Sequence, residues 1–231
     1  MPESYTYLMV NLGALLVPFL FSFHPKLRFD KTWWAFFPAC FSVGTLFVLW
    51  DIWFTHMGVW GFTPRYLMGI YVANLPLEEI LFFICIPYAC IFSYHCLKVL
   101  LKKDYLQPYS SRISIVLAIF LLVLGLLNLD HWYTSLTSLL TSLLLLIHTW
   151  KIKGTYLGHY FLTYLLITPF FLITNGILTG TGLDEPVVWY NNAENLGIRV
   201  GTIPVEDFSY GFLMLLLVLT GYEWLLARKA L

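Results

Sequence analysis

The stretch NLPLEEILFF, residues 74–83, sets two adjacent glutamates, Glu78 and Glu79, at the head of a strongly apolar run. TIPVEDFSYG, residues 202–211, repeats the arrangement with Glu206 and Asp207. Whether these runs cross a bilayer decides the fold. Only 11% of the 231 residues are charged and 59% are hydrophobic, whereas an average soluble domain carries about 25% charged residues. Such a chain cannot cover a water-facing surface, so it reads as an all-α integral membrane protein.

Spanning the hydrocarbon as helix takes about 20 apolar residues. Seven runs approach that length, at about 4–22, 33–51, 76–97, 113–129, 132–149, 157–179 and 204–226. The fourth and fifth are joined by a short segment containing Asn128, Asp130 and His131, which predicts a tight helical hairpin. Met-Pro-Glu-Ser at the start carries no positive charge, so the first run is expected to be a retained span rather than a cleaved signal.

Charge supports the count. Seven spans put Lys26, Arg28, Lys31, Lys98, Lys102, Lys103, Arg112, Lys151, Lys153, Arg228 and Lys229 on one side. The other side receives only Arg65 and Arg199. Basic residues favour the cytoplasmic face, which sets the N-terminus outside and the C-terminus in the cytoplasm. The expected location is the bacterial cytoplasmic membrane. Basic and acidic residues balance, 13 against 13, so no nucleic-acid partner is indicated. The cysteines at 40, 85, 90 and 96 lie in apolar runs and read as small packing residues.

The chain also repeats itself. Pro76 and Pro204 stand 128 positions apart (204 − 76), in P-L-E-E and P-V-E-D. Asp51 in LWDIWF and Asn175 in LITNGI mark the outer ends of spans 2 and 6. Spans 1–3 then correspond to spans 5–7, and span 4 is a linker helix. Three spans plus one is an even number, so the two three-helix repeats are expected to be parallel, with both acidic motifs at one depth. The expected units are residues 1–103, a linker over 104–130, and residues 131–231.

Proline suits the first position of a helix, and acids in a first turn can simply satisfy free N–H groups and the helix dipole. Two matching doublets in a chain so short of acids ask for more. Adjacent helical positions project about 100° apart, so one acid of each doublet can face the interior while the other caps. The shared spacing favours the first of each pair. Phe82 and Tyr210 lie four residues after Glu78 and Glu206, and Phe83 and Phe208 add rings nearby. A hydrocarbon-lined cavity disfavours an ionised carboxyl. One acid is then expected to donate a proton while a second stays ionised, and aromatic faces can stabilise a cation.

These features resemble the small integral-membrane lycopene cyclases, in a form with both repeats fused in one chain, and the resemblance covers nearly the whole length. It implies cyclisation of the linear end groups of lycopene without net redox change, an intramolecular lyase or isomerase reaction. Protonation of C2 gives a C1 cation, which the C5=C6 double bond attacks. Proton loss from C6 gives a β-ionone ring, as in β-carotene or γ-carotene; loss from C4 gives an ε ring. Glu78 or Glu206 is the expected first donor, with Glu79 and Asp207 as partners. Asp51 and Asn175 are supporting candidates, and Arg65 and Arg199 could hold a carboxylate ionised. The partners implied are the carotenoid and membrane lipid, with no different subunit. No GxGxxG occurs, and no cofactor or metal is expected.

Rival classes find less support. A retinal protein needs a lysine inside its last span, and 204–226 has none. The six histidines form no HxxxH or HxxHH, and Asp184-Glu185 makes no aspartate-rich diphosphate motif. A carboxylate-coupled transporter remains the alternative, although Gly176 and Gly180 fall at the end of span 6 rather than its middle.

Overall fold

The computed structural model describes residues 3–101, 103–152 and 154–229. Lys102 and Lys153, two of the basic residues counted above, and the terminal residues 1–2 and 230–231 lie outside the described residues. Among the described residues, seven helices are long and apolar enough to cross a membrane. They are α1 (Thr6–Phe21), α2 (Trp33–Met57), α3 (Leu77–Leu100), α4 (Ser110–Leu127), α5 (Trp132–Ile147), α6 (Leu157–Leu178) and α7 (Glu206–Lys229).

Six short strands complete the fold: β1 (Trp60–Phe62), β2 (Tyr71–Val72), β3 (Leu75–Pro76), β4 (Val188–Tyr190), β5 (Arg199–Val200) and β6 (Ile203–Pro204). β1 pairs antiparallel with β4, setting Trp60 opposite Tyr190 and Phe62 opposite Val188. This ties the α2–α3 loop to the α6–α7 loop. Gly61 is required there, because a Cβ at that position would sit 2.3 Å from the Trp189 ring. The α4–α5 turn joins the same cap through Tyr133 N–H, which donates to the Glu194 carbonyl at 2.9 Å. Arg65 ties the cap to Glu3, in the turn just before α1.

Close helix packing in lipid relies on small residues and shared hydrogen bonds. In the α4–α5 hairpin, Ser142 Oγ donates to the Ala118 carbonyl at 2.7 Å and Gly125 lies against Leu139. Ser and Thr at 134, 135, 137, 138, 141 and 142 are all buried along α5. Pro87 inside α3 frees the carbonyl four residues earlier; that carbonyl, of Phe83, accepts from Cys40 Sγ of α2 at 3.4 Å. α3 packs against α1, α2 and α6, while α7 packs against α5 and α2.

Two local expectations are corrected. α2 runs on to Met57, where Gly58 (φ 74) ends it by donating to the carbonyls of Phe54 and Thr55. Asp51 therefore lies more than a turn inside the helix rather than at its end. Neither motif proline is the first helical residue. Pro76 is extended (φ −67, ψ 149) and pairs with Tyr71 in the β2–β3 hairpin, and Pro204 pairs with Arg199 in the β5–β6 hairpin. Proline is tolerated at the end of a two-residue edge strand, where its missing N–H is not needed. Each helix starts just after its hairpin, at Leu77 and at Glu206.

Candidate active site

The two hairpins deliver the acid doublets in the same way. Leu77 N–H bonds to the Ile70 carbonyl, and Val205 N–H to the Ile198 carbonyl, at the equivalent position. Glu78 turns back to the loop before it, where Oε1 accepts from Met68 N–H at 2.6 Å. Glu206 does likewise with Leu196 N–H at 2.8 Å and adds the Thr134 hydroxyl at 2.6 Å. Both carboxyls are buried, and the second oxygen of each has no protein partner. The first acid of each doublet thus holds the loop against the head of its helix.

The second acid of each doublet faces a cavity of about 920 Å³ between α1, α3, α6, α7 and the cap. That is within the usual range for ligand pockets, about 300–1,000 Å³. Asp51, Glu79 and Asp207 all line it, whereas Glu78 and Glu206 do not. The rest of the wall is mostly apolar or aromatic, with Tyr7, Trp60, Phe82, Tyr133, Tyr190 and Tyr210 around the acids. Along α6 the lining extends from Tyr164 to Leu178, about 20 Å at a rise of 1.5 Å per residue. Val17 of α1 and Phe170 and Ile173 of α6 line the slot and are also exposed on the outer surface. The slot therefore opens sideways between α1 and α6, toward the lipid.

Every cavity carboxyl is hydrogen-bonded. Tyr7 Oη donates to Glu79 Oε2 at 2.5 Å. Asp51 Oδ1 accepts from Tyr210 Oη at 2.8 Å. Asp207 receives Tyr133 Oη on Oδ1 at 2.6 Å, and Asn175 Nδ2 and Tyr190 Oη on Oδ2 at 2.6 and 3.0 Å. Tyr190 lies in the cap, outside the spans. Burial and the adjoining Asp207 push its phenol well above the usual tyrosine range, which keeps it protonated and donating. Its ring stacks on Tyr133 at 5.9 Å and 17°, and Trp60 meets Tyr133 edge-on at 5.0 Å.

The aromatic candidates divide. Phe82 and Tyr210 line the cavity, three residues after its acids Glu79 and Asp207, and so share their face. Phe83 is buried outside it against Phe47, and Phe208 packs edge-on against Phe171 at 4.9 Å. The two arginines turn away from the four motif acids. Arg65 pairs with Glu3 and, at 2.8 Å, with Asp184. Arg199 donates to the Thr202 carbonyl and to Asn192, with its guanidinium 5.8 Å from the Tyr190 ring centre. Sequence reasoning missed Tyr7, Tyr133 and Tyr190. Tyrosines near the ends of spans look like an interfacial belt, but Tyr7 and Tyr133 hold comparable positions in spans 1 and 5, a signal the repeat carried. Among the described residues, no group of three or more His, Cys, Asp or Glu side chains is arranged to hold a metal ion.

A family model described as lycopene cyclase matches the chain over residues 4–97 and 130–225. No curated protein and no solved structure matches it.

Proposed function

The chain belongs to the lycopene cyclase family, and on that premise we propose that it closes the linear end group of lycopene into a β-ionone ring by acid–base catalysis, as an isomerase. A carotenoid substrate follows from the family; the ring type and product are our reading. The observation that carries it is the convergence of Asp51, Glu79 and Asp207 on one apolar slot open to lipid. The polyene enters sideways between α1 and α6, and its end group lies against the carboxyls. The slot keeps water from the cation. The surrounding tyrosines and Trp60 supply π faces to it. Proton addition at one carbon and loss at another need only positioned acids and bases, so no cofactor enters the scheme. Glu78 and Glu206 hold the cap loops instead of meeting the substrate.

The same reading sets two parallel three-helix repeats, residues 1–103 and 131–231, around the slot, with 104–130 as linker. Equivalent contacts offset by 128 positions, such as Met68 N–H on Glu78 and Leu196 N–H on Glu206, support that division. The charge distribution supports an outer cap and a cytoplasmic C-terminus; the reading places the chain in the bacterial cytoplasmic membrane, without a different subunit. The test is expression in cells that accumulate lycopene, followed by chromatography of the pigments. Monocyclic or bicyclic products are expected without added cofactor. Lycopene that persists beside folded membrane-inserted protein would overturn the reading.

A further inference from the structure

Among the differences between the two halves of the cavity, one bears directly on where a proton sits. Where α2 brings a second acid, Asp51, into the cavity that Glu79 lines, α6 brings Asn175 to Asp207 at 2.6 Å. No Lys, Arg or His is among the described residues lining this apolar cavity, so burial and mutual repulsion leave a proton on one of Asp51 and Glu79. Each also accepts from a tyrosine, Tyr7 on Glu79 and Tyr210 on Asp51. Asp207 is arranged in the opposite way. Three donors, Tyr133, Asn175 and Tyr190, meet both of its oxygens. The Asn175 amide can offer N–H groups there without bringing a competing acidic proton. The first half thus stores a proton in the cavity, and the second half presents a carboxylate ready to take one.

We propose that the Asp51–Glu79 pair is the acid of the reaction and Asp207 its base, with Asn175 as the positioning residue that keeps Asp207 a base. This division rests on the cyclase reading. In the step, the proton of the pair adds to C2 of the end group using the C1=C2 electron pair, which leaves the cation at C1. The C5=C6 electron pair then forms the C1–C6 bond and moves the cation to C5. The C6 proton passes to Asp207, and its bonding pair becomes the new C5=C6 double bond. One proton released by Asp207 and one regained by the pair restore the starting state, so substrate and product are isomers.

The experiment follows solvent deuterium with purified protein in lipid vesicles, lycopene and D2O, reading pigments by chromatography and mass spectrometry. Wild type is expected to add one deuteron per ring. Asp51→Asn is expected to lower ring formation at least 100-fold and to return lycopene free of deuterium. Glu79→Gln, which removes the other half of the pair, gives the same result and serves if Asp51→Asn fails to fold. Asp207→Asn is expected to lower β-ring formation comparably. Its end groups still take up deuterium, because protonation and its reversal continue, or they close with the double bond displaced. Deuterium uptake retained in Asp51→Asn or Glu79→Gln but lost in Asp207→Asn would reverse the roles. Loss of uptake in all three, or full β-ring formation in any, overturns the division as well. Wild type that leaves lycopene unconverted removes the cyclase reading itself, a result distinct from any pattern among the variants.

Discussion

Around Glu79 and around Asp207 the chain builds the same scaffold twice and then departs from it, above all beside those inner acids. In both places a two-residue hairpin leads into the helix, the first acid holds the preceding loop, and the second acid accepts from a tyrosine one helix away. The departure is Asp51 against Asn175. A shared backbone supplies position, while a change from a carboxyl to an amide decides whether the local site holds a proton or only accepts one. Duplication alone would give two equal half-sites; substitutions between the halves give them opposite tasks in one cavity.

The comparison is broken most strongly by removing the cavity acids. Glu79→Gln and Asp207→Asn should each reduce product formation by about 10²–10⁴, the usual range for a positioned acid or base, measured as pigment turnover per folded protein. The first acids should behave differently. Glu78→Gln and Glu206→Gln put a new amide donor where a buried oxygen has no partner, which should cost about 1–2 kcal/mol of stability. Thermal unfolding in detergent reads that loss, and turnover per folded molecule should change by less than tenfold. A collapse of turnover in a fully folded Glu78→Gln would return the first acid to the chemistry.

Smaller effects sharpen the picture. Tyr190→Phe removes one of the three donors on Asp207 and should slow turnover by about 10- to 100-fold, given about 1.5–3 kcal/mol for a hydrogen bond to a charged group. Arg65→Ala should change turnover less than about twofold, since its exposed ion pairs are worth only about 0–1 kcal/mol. The smallest difference is conformational. Ala73 and Gly201 occupy equivalent turn positions with φ 54 and 64, and the left-handed region costs a residue with a Cβ about 1–2 kcal/mol. Ala73→Gly should therefore leave stability unchanged or raise it slightly, whereas Gly201→Ala should lower it by about 1 kcal/mol, both read by thermal unfolding.

Much of this architecture is written along the chain. Length and apolarity of the seven runs are local properties, and a bilayer requires spans of that size, so the helix count needs no tertiary information. The doublets 78–79 and 206–207 stand out because ionisable residues are rare in such a chain. Their facing is a different matter. Adjacent helical positions point about 100° apart, so a shift of one or two residues in where a helix begins exchanges the inner acid for the outer one. That start depends on Pro76 and Pro204 lying in hairpins, which only the pairing with Tyr71 and Arg199 establishes. Asp51 is similar: α2 continues past it because Gly58 ends the helix beneath a cap built from two distant loops.

The sequence by itself therefore determined that this is a seven-span, lipid-embedded chain with two acidic motifs, because hydrophobicity and charge are counted residue by residue. Only the tertiary structure decided that Glu79, Asp207 and Asp51 line one slot, that Tyr7, Tyr133, Tyr190 and Tyr210 satisfy them, and that Glu78 and Glu206 serve the loops. Those relations join residues up to 159 positions apart, and the packing of helices from both halves, not any local pattern, brings them within hydrogen-bond reach.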